Sequence, residues 1–379
     1  MKLTRYKLGE ILELQRGYDL PSSQMKKGDI LVAGSNGVIG YHNEARSNHP
    51  CITVGRSGSV GKVHYYEQAT WAHNTALFVK DFKGNDPKYL YYFLKNLHLD
   101  KMFDKGSSVV PSLDRKVVHS LNVPCHKDID CQKRIAAILS KIDRKIELNC
   151  AINQNLEAMA KQLYDYWFVQ FDFPNEEGKP YKSSGEVMVY NERFGREIPQ
   201  GWSTMPISEI LDKYPTTKRY ETKEYLSCGK YPIIDQGDSY IVGFTNEVDH
   251  LLTRHPAVLF GDHSTKVKFL DFDFARGADG TQILYSSNEA VSQYYLYLAV
   301  SALQISNPGY SRHFKYLKEL PIIIPDLKIA NTFKNIVKPL FEEWTKNIFC
   351  NIELTKQRNE LLPLLMNGQV SVNSDLSLG

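Results

Sequence analysis

The chain has 379 residues, a hydrophobic fraction of 42% and a formal net charge of +3. This length exceeds one ordinary hydrophobic core and fits two domains with connectors. The composition excludes a disordered chain, and the lack of an apolar run of about 18 residues excludes a membrane-spanning helix. The start of the chain has no apolar stretch typical of a secretory signal, and the cysteines described next lead us to expect a cytoplasmic protein.

The cysteines and the distribution of charge indicate which kinds of binding site the protein can have. Six scattered cysteines form no CxxC pair, which argues against a zinc site or a disulfide framework and for reduced thiols. The charge balance is +6 over residues 1–125 and −4 over residues 176–326. Net charge therefore favours phosphate binding only in the first part of the chain.

The sequence repeats itself at shifts of 199–206 residues. The matches stay in the same order along the chain, so we expect two similar domains. The matched segments are Leu8–Ile11 with Ile207–Ile210, Gly40–Glu44 with Gly243–Glu247, His49–Ile52 with His255–Val258, Asn74–Thr75 with Gly280–Thr281, and Leu121–Pro124 with Ile322–Pro325.

Each copy contains the same series of predicted elements. Short apolar runs that favour strands come first, such as Ile30–Val32 and Ala257–Phe260, separated by Gly, Asn and Asp. An aromatic helix follows at Tyr89–Leu94 and at Tyr294–Leu298. A polar loop, a short strand ending in proline and a long helical segment complete each copy.

The first long helix carries apolar residues at alternating spacings of four and three, which is typical of a coiled coil. Two asparagines interrupt this seam, and a buried asparagine in a seam fixes register at a cost in stability. The predicted seam residues are Ile135, Leu139, Ile142, Ile146, Asn149, Asn153, Leu156 and Leu163.

The second long helix has a similar seam, but Pro339 and Pro363 predict that it is kinked or interrupted. Its predicted seam residues are Phe333, Val337, Leu340, Trp344, Ile348, Ile352 and Leu362.

These patterns together predict an α+β fold. Two similar mixed α/β domains would be separated by two long antiparallel coiled-coil helices in a pseudo-twofold arrangement. Helices of this length span roughly 55 Å, which would hold two reading surfaces between one and two turns of duplex DNA apart. The predicted boundaries are 1–127 for the first domain, 128–171 for the first helix, 172–326 for the linker and second domain, 327–370 for the second helix and 371–379 for a tail.

The segment that follows the first helix carries a family resemblance. The runs Trp167–Pro174, Gly178–Lys182 and Gly195–Trp202 resemble the linker after the central helix in specificity subunits of type I restriction-modification systems. The segment Leu361–Val370 is similar to the close of the second conserved helix in that family. The arrangement of the chain, in which each domain is followed by a long helix, also resembles that family and covers nearly the whole chain.

The resemblance implies a non-catalytic subunit that recognises DNA. Each domain would read one half of a bipartite, gapped target in the major groove and direct adenine methylation or cleavage by partner subunits. The helices would bind two methyltransferase (modification) subunits, and motor-nuclease (restriction) subunits would join for cleavage. S-adenosylmethionine and ATP with Mg²⁺ would belong to those partners, with no cofactor or metal in this chain.

Polar loops of both copies supply candidate DNA contacts. Lysines neutralise phosphates, arginines also make bidentate contacts to guanine, and small residues permit close approach. The candidates in the first copy are Arg56, Ser57, Lys62, His73, Asn74, Lys105, Ser107, Ser108, Arg115 and Lys116. Those in the second copy are Lys218, Arg219, His263, Lys266, Lys268, Arg276, Arg312, His313 and Lys315.

Two other classes of function stay open. A single-chain DNA methyltransferase or restriction enzyme would need a cofactor loop, and Gly55–Val63 lacks the glycine spacing and the Ser/Thr of a phosphate-binding loop. A scaffold that binds only proteins through its coiled coil is the other alternative, favoured by the negative charge of the second domain.

Overall fold

The computed structural model describes residues 3–47, 49–103, 112–212, 217–278, 280–303, 305 and 312–371. The chain divides into two compact units. Unit 1 comprises residues 1–148 and 351–379, and unit 2 comprises residues 149–350. Each unit therefore combines one copy of the sequence repeat with one part of each long helix. No helix in the described part of the chain is both long and apolar enough to cross a membrane.

The strands and short helices of unit 1 follow the predicted order. The strands are β1 Leu3–Lys7, β2 Glu13–Arg16, β3 Ile30–Gly34, β4 Gly37–His42, β5 Cys51–Gly55, β6 Val63–Tyr66, β7 Trp71–Ala72, β8 Ala76–Asp81 and β9 Asn122–His126. The helices are α1 Leu8–Ile11, α2 Pro87–Asn96, α3 Leu99–Phe103 and α4 Arg115–Ser120, with a 3-10 turn at Ser22–Gln24. The long helix α5 spans Ile129–Tyr164 and continues into a π-helical turn at Asp165–Val169.

Unit 2 repeats this series. Its strands are β10 Met188–Asn191, β11 Arg196–Pro199, β12 Ser203–Pro206, β13 Tyr231–Ile234, β14 Gly243–Thr245, β15 Ala257–Gly261, β16 Val267–Leu270, β17 Ala275–Arg276, β18 Thr281–Leu284 and β19 Pro321–Ile324. Its helices are α6 Ile207–Ile210, α7 Gln293–Ala302, α8 Phe314–Glu319 and the long α9 Leu327–Met366, with 3-10 turns at Lys182–Ser184 and Thr222–Glu224.

The sheets of the two units share the pairing around a central strand, and β2 adds a fourth strand in unit 1. A central, fully buried strand has antiparallel neighbours on both sides, in the order β2-β8-β5-β6 in unit 1 and β18-β15-β16 in unit 2. A second sheet has the order β4-β3-β7 in unit 1 and β14-β13-β17 in unit 2, with one antiparallel and one parallel pairing in each. The continuous burial of the central strands explains their largely apolar sequences, with buried Thr53 as the polar residue of β5.

The duplication extends to individual backbone hydrogen bonds. The strand pair β1–β9 has its counterpart in β12–β19, both antiparallel. The N–H of Leu8 donates to the carbonyl of Leu121 at 2.9 Å, and the N–H of Ile207 donates to that of Leu320 at 3.0 Å. The predicted internal duplication is therefore confirmed at the level of single bonds.

Within unit 1, the beginning of α5 packs against the end of α9. Ile135 and Leu139 share a buried core with Leu362. One turn further along α5, Asp143 Oδ1 accepts a hydrogen bond from Arg358 Nη1 at 2.7 Å. Because later residues of α5 meet earlier residues of α9, the two segments run antiparallel in this unit.

Within unit 2, the end of α5 packs against the beginning of α9 in the same antiparallel sense. The rings of Trp167 and Phe333 lie 5.7 Å apart. Nearer the middle of α5, the Asn153 side chain donates to the backbone carbonyl of Trp344 at 3.0 Å and accepts from Asn347 at 2.9 Å. The asparagine predicted as a seam residue is therefore buried and hydrogen-bonded across the helix pair.

The expected interruption of the second helix is wrong. The helix α9 continues through both Pro339 and Pro363. A proline within a helix removes one backbone hydrogen bond and costs about 3 kcal/mol. Val337 and Phe341 are buried on either side of Pro339, and most helical stability in proteins comes from such packing of an apolar face. This packing depends on residues distant in the sequence, so the pattern around each proline did not predict it.

The asparagine contacts give a first prediction. Replacing Asn153 by leucine leaves the amide of Asn347 without its partner, so we expect unit 2 to lose about 1–3 kcal/mol of unfolding free energy. The double variant Asn153→Leu/Asn347→Leu removes both polar groups and should recover most of that loss. Urea denaturation measures both effects, with exposed Gln154→Leu as the control. A double variant as unstable as the single one would refute the pairing.

Candidate nucleic-acid interface

Three loops of unit 1 come together at one end of its sheets. The backbone N–H groups of Arg56 and Ser57 both donate to the carbonyl of Thr75, at 2.9 and 3.1 Å. The ammonium of Lys62 donates to Asn36 Oδ1 at 2.8 Å. These bonds connect the β3–β4 turn, the β5–β6 loop and the β7–β8 turn. We call loop cluster 1 the segments Ser35–Asn36, Arg56–Lys62 and His73–Thr75.

Unit 2 has the corresponding cluster. Gln236 Oε1 accepts from the N–H of His263 at 2.9 Å, and its carbonyl accepts from Ser264 Oγ at 2.6 Å. The N–H of Asp262 donates to the carbonyl of Gly280 at 2.7 Å. We call loop cluster 2 the segments Asp235–Ser239, Asp262–Lys266 and Gly277–Ala278 together with Gly280.

Matching bonds show that the clusters are equivalent. In unit 1 the N–H of Leu113 donates to the carbonyl of Arg56 at 2.9 Å, and in unit 2 the N–H of His313 donates to that of Asp262 at 2.9 Å. The same backbone position therefore carries an arginine in one unit and an aspartate in the other. This exchange adds to the difference in net charge between the two units.

Five predicted DNA contacts lie in loop cluster 1. Lys62 is exposed, whereas Arg56, Ser57, His73 and Asn74 are half-buried. A ring nitrogen of His73 lies 3.0 Å from the Thr75 hydroxyl, and the Asn74 amide donates to Asp19. The cluster is thus held by its own polar side chains, and Lys62 extends furthest into solvent.

The other predicted contacts of unit 1 lie next to this cluster or outside the described residues. Arg115 and Lys116 are exposed in the first turn of α4. The segment entering α4 joins the cluster through a bridge between Ser57 and Ser112. The predicted residues Lys105, Ser107 and Ser108 lie outside the described residues.

Two lysines of unit 2 are already paired with carboxylates. Lys218 lies 3.1 Å from Glu247 and 3.2 Å from Glu224, and hydrogen bonds with these two carboxylates raise its pKa. Lys266 lies 3.1 Å from Asp238. A bound phosphate would have to compete with these acids, so both lysines are weaker candidates than Lys62.

Three predicted residues of unit 2 are buried and are therefore not accessible to DNA in this structure. The ammonium of Lys268 donates to the carbonyls of Asp235 and Ser239 at 2.8 and 2.6 Å, and burial lowers its pKa. Burial, followed by the charge of Arg219, lowers the pKa of Arg276. His313 is also buried. Lys268 therefore supports the loop that starts at Asp235.

The remaining candidates of unit 2 are accessible. Arg219 is exposed and lies beside β17, and His263 is half-buried within loop cluster 2. Arg312 and Lys315 are exposed around the start of α8, where unit 1 carries Arg115 and Lys116 at the start of α4. The second cluster therefore presents positive charge mainly from its α8 side.

The first loop of each cluster was not among the predicted DNA contacts. Asn36 binds Lys62 in unit 1, and Gln236 connects two loops in unit 2. A signal was present, because an apolar strand is followed by Ser35–Asn36–Gly37 in one copy and by Asp235–Gln236–Gly237 in the other. An Asn-Gly pair after an apolar run indicates a hairpin turn.

Comparison with known proteins gives the same two-copy pattern. The family model described as type I restriction modification DNA specificity domain matches residues 2–158 and 199–361. The chain is 26% identical over 313 residues to the specificity subunit of the type I restriction enzyme MjaIX from Methanocaldococcus jannaschii, covering 75% of this chain and 69% of that protein. It is 28% identical over 149 residues to the EcoR124I/EcoR124II specificity subunit from Escherichia coli, covering 37% and 36%.

A solved structure has a similar fold. The S subunit of a type I restriction-modification system from M. genitalium aligns with a TM-score of 0.60 over 96% of both chains, at 17% identity. At this identity the likeness concerns the fold.

Proposed function

Since the chain belongs to the family of type I restriction modification DNA specificity domains, we propose that unit 1 and unit 2 each bind one half of a gapped duplex DNA target. Loop cluster 1 and loop cluster 2 are the proposed reading surfaces. Recognition of a DNA target is the role of a type I specificity subunit, and the chain directs chemistry that other subunits carry out.

The equivalence of the two clusters carries this proposal. The carbonyls of Arg56 and Asp262 accept from the N–H groups of Leu113 and His313, just before α4 and α8, at the same distance. The side chains differ, because that of Arg56 is half-buried, whereas that of Asp262 is buried and accepts from the N–H of Phe314 at 2.8 Å. A conserved backbone frame with variable side chains suits a surface that reads different sequences in its two copies.

The contacts in unit 1 have distinct proposed roles. Exposed Lys62, Arg115 and Lys116 neutralise phosphates and position the domain, because lysine and arginine contacts of this kind supply most sequence-independent affinity. Arg56, at the centre of the cluster, reads a guanine edge, since its guanidinium can donate two parallel hydrogen bonds. In unit 2, Arg219, Arg312 and Lys315 take the phosphate-binding role, and His263 contacts a base edge.

The family also indicates the proposed partners. Methyltransferase subunits bind the helices α5 and α9, and motor-nuclease subunits join the complex for cleavage. S-adenosylmethionine and ATP with Mg²⁺ are bound by those subunits. Because the target is chromosomal or invading DNA, the proposed compartment is the cytoplasm.

Domain exchange tests the proposal directly. The full chain is reconstituted with candidate methyltransferase subunits, and adenine methylation is mapped across a genome. We expect a bipartite motif with a fixed gap. Exchanging residues 1–127 for the corresponding domain of another specificity subunit should change one half of the motif and leave the other half and the gap intact.

A charge variant serves as the control for this experiment. Lys62→Gln should weaken DNA binding with little change of motif and reduce the slope of log affinity against log salt by about 1, because one phosphate contact is lost. Change of both half-motifs after domain exchange, or of neither, would contradict the assignment of one half to each unit.

A further inference from the structure

The hairpin β3–β4 contains a β-bulge at Ile39. Val32 pairs with Gly40 and Ala33 pairs with Val38, so Ile39 has no partner across the ladder. A bulge redirects the side chain of its extra residue, and bulges are common beside functional sites. The Ile39 side chain is 50% exposed and that of Val38 46%. An apolar pair thus lies in solvent just after the turn Ser35–Asn36.

Contacts place Ile39 against loop cluster 1. A Cβ atom at Gly34 would lie 2.9 Å from Ile39 Cγ2 and 3.4 Å from Thr75 Oγ1. The side chains of Ile39 and Thr75 therefore border the same point, and the absence of a side chain at Gly34 makes room for both. Thr75 also accepts the two backbone bonds from Arg56 and Ser57. The exposed apolar pair is continuous with the proposed DNA-reading surface.

The fold itself does not require this exposure. The repeat aligns Gly40 with Gly243, which places Ile241 and Val242 at the positions of Val38 and Ile39. Both residues of unit 2 are half-buried and pack against hydrophobic clusters of that unit. The ladder of β13 with β14 ends at the pair Ile233–Gly243, so Ile241 and Val242 lie outside it. Unit 1 therefore has an apolar projection that unit 2 lacks.

The chemistry of duplex DNA suggests what this projection contacts. Lys62 and Arg56 belong to the same loop cluster, and residues 1–125 have a charge balance of +6. Within a major groove that is otherwise lined by polar base edges, the apolar feature is the C5-methyl group of thymine. An exposed isoleucine beside a loop cluster that also carries cationic side chains fits that group by size and by polarity.

We propose that Ile39 is a specificity-determining residue of unit 1 that contacts the C5-methyl group of a thymine in its half of the target. This inference rests on the proposed function, because it assigns one base contact within the same surface. The bulge sets the direction of the side chain, and Lys62, bonded to Asn36, brings the hairpin turn close to the phosphates.

Removing a single methyl group tests this contact. Once methylation mapping has given the motif, each thymine in the half read by unit 1 is replaced by deoxyuridine, which lacks only the C5-methyl group. For the complete complex we expect one position at which this change weakens binding about fourfold, the value of one buried methyl-sized group. In the variant Ile39→Ala, binding to the thymine duplex falls by a similar factor and sensitivity to deoxyuridine at that position disappears.

Control variants distinguish loss of the Ile39 contact from a general loss of stability or of DNA recognition. Val189→Ala changes an apolar side chain that is 48% exposed on another hairpin, and it should alter neither affinity nor motif. Thermal unfolding of Ile39→Ala should match that of the wild type, because the side chain is half in solvent. If no thymine is sensitive to methyl removal, or if Ile39→Ala keeps the sensitivity, the contact is overturned while the proposed function stands. A wild-type complex that methylates without sequence preference overturns both.

Discussion

Replacing Phe168 by alanine is expected to lower the unfolding free energy of unit 2 by about 3–5 kcal/mol, the usual cost of emptying a buried aromatic site. The side chain is 1% exposed. Its ring lies 4.7 Å from that of Tyr295, 4.8 Å from Phe333 and 5.8 Å from Trp202. Since three different elements meet on this ring, the surrounding structure cannot collapse easily into the space left by the substitution.

Tryptophan fluorescence during urea denaturation measures this loss. Tyr166→Ala is the matched control, because Tyr166 lies two residues away on the same π-helical turn and is 37% exposed. The control should change the unfolding free energy by less than about 1 kcal/mol. Equal effects of the two substitutions would show that the aromatic cluster does not hold the end of α5 in unit 2.

Replacing Gly55 by alanine is expected to disrupt loop cluster 1 and to weaken recognition by unit 1. A Cβ atom there would lie 1.9 Å from the carbonyl oxygen of Ser59 and 2.7 Å from that of Ser35. Both atoms belong to the backbone, so the β5–β6 loop and the β3–β4 turn must move apart. We expect a loss of about 1–3 kcal/mol in unfolding free energy, as for other overpacked sites, and at least a roughly tenfold loss of affinity for the target.

Substitution of a second glycine is the control that distinguishes the effect of steric crowding from the effect of backbone strain. Gly84 has a φ of +76° and no atom within 4 Å of a built Cβ. Gly84→Ala should therefore cost about 1–2 kcal/mol of backbone strain and leave DNA binding unchanged. Competition binding with the reconstituted complex distinguishes the two variants. Full affinity in Gly55→Ala would mean that the loops of cluster 1 do not have to stay together for recognition.

The sequence by itself determined the architecture. Collinear matches such as Leu8–Ile11 with Ile207–Ile210 revealed the duplication, because two copies of one fold retain similar residues at similar distances along the chain. The spacing of Ile135, Leu139 and the later apolar residues indicated a long helix, since helical periodicity is a local property of the sequence. The family followed from the runs beside that helix.

Tertiary structure decided the composition of the reading surfaces. Lys268 and Arg276 look like surface cations in the sequence, but packing of residues distant in the chain buries both. Packing on neighbouring segments likewise carries α9 through Pro339. The bulge that exposes Ile39 depends on the register between two strands, and register follows from pairing, not from composition. Local patterns therefore predicted which elements form, whereas contacts between distant segments determined which side chains reach solvent beside one another.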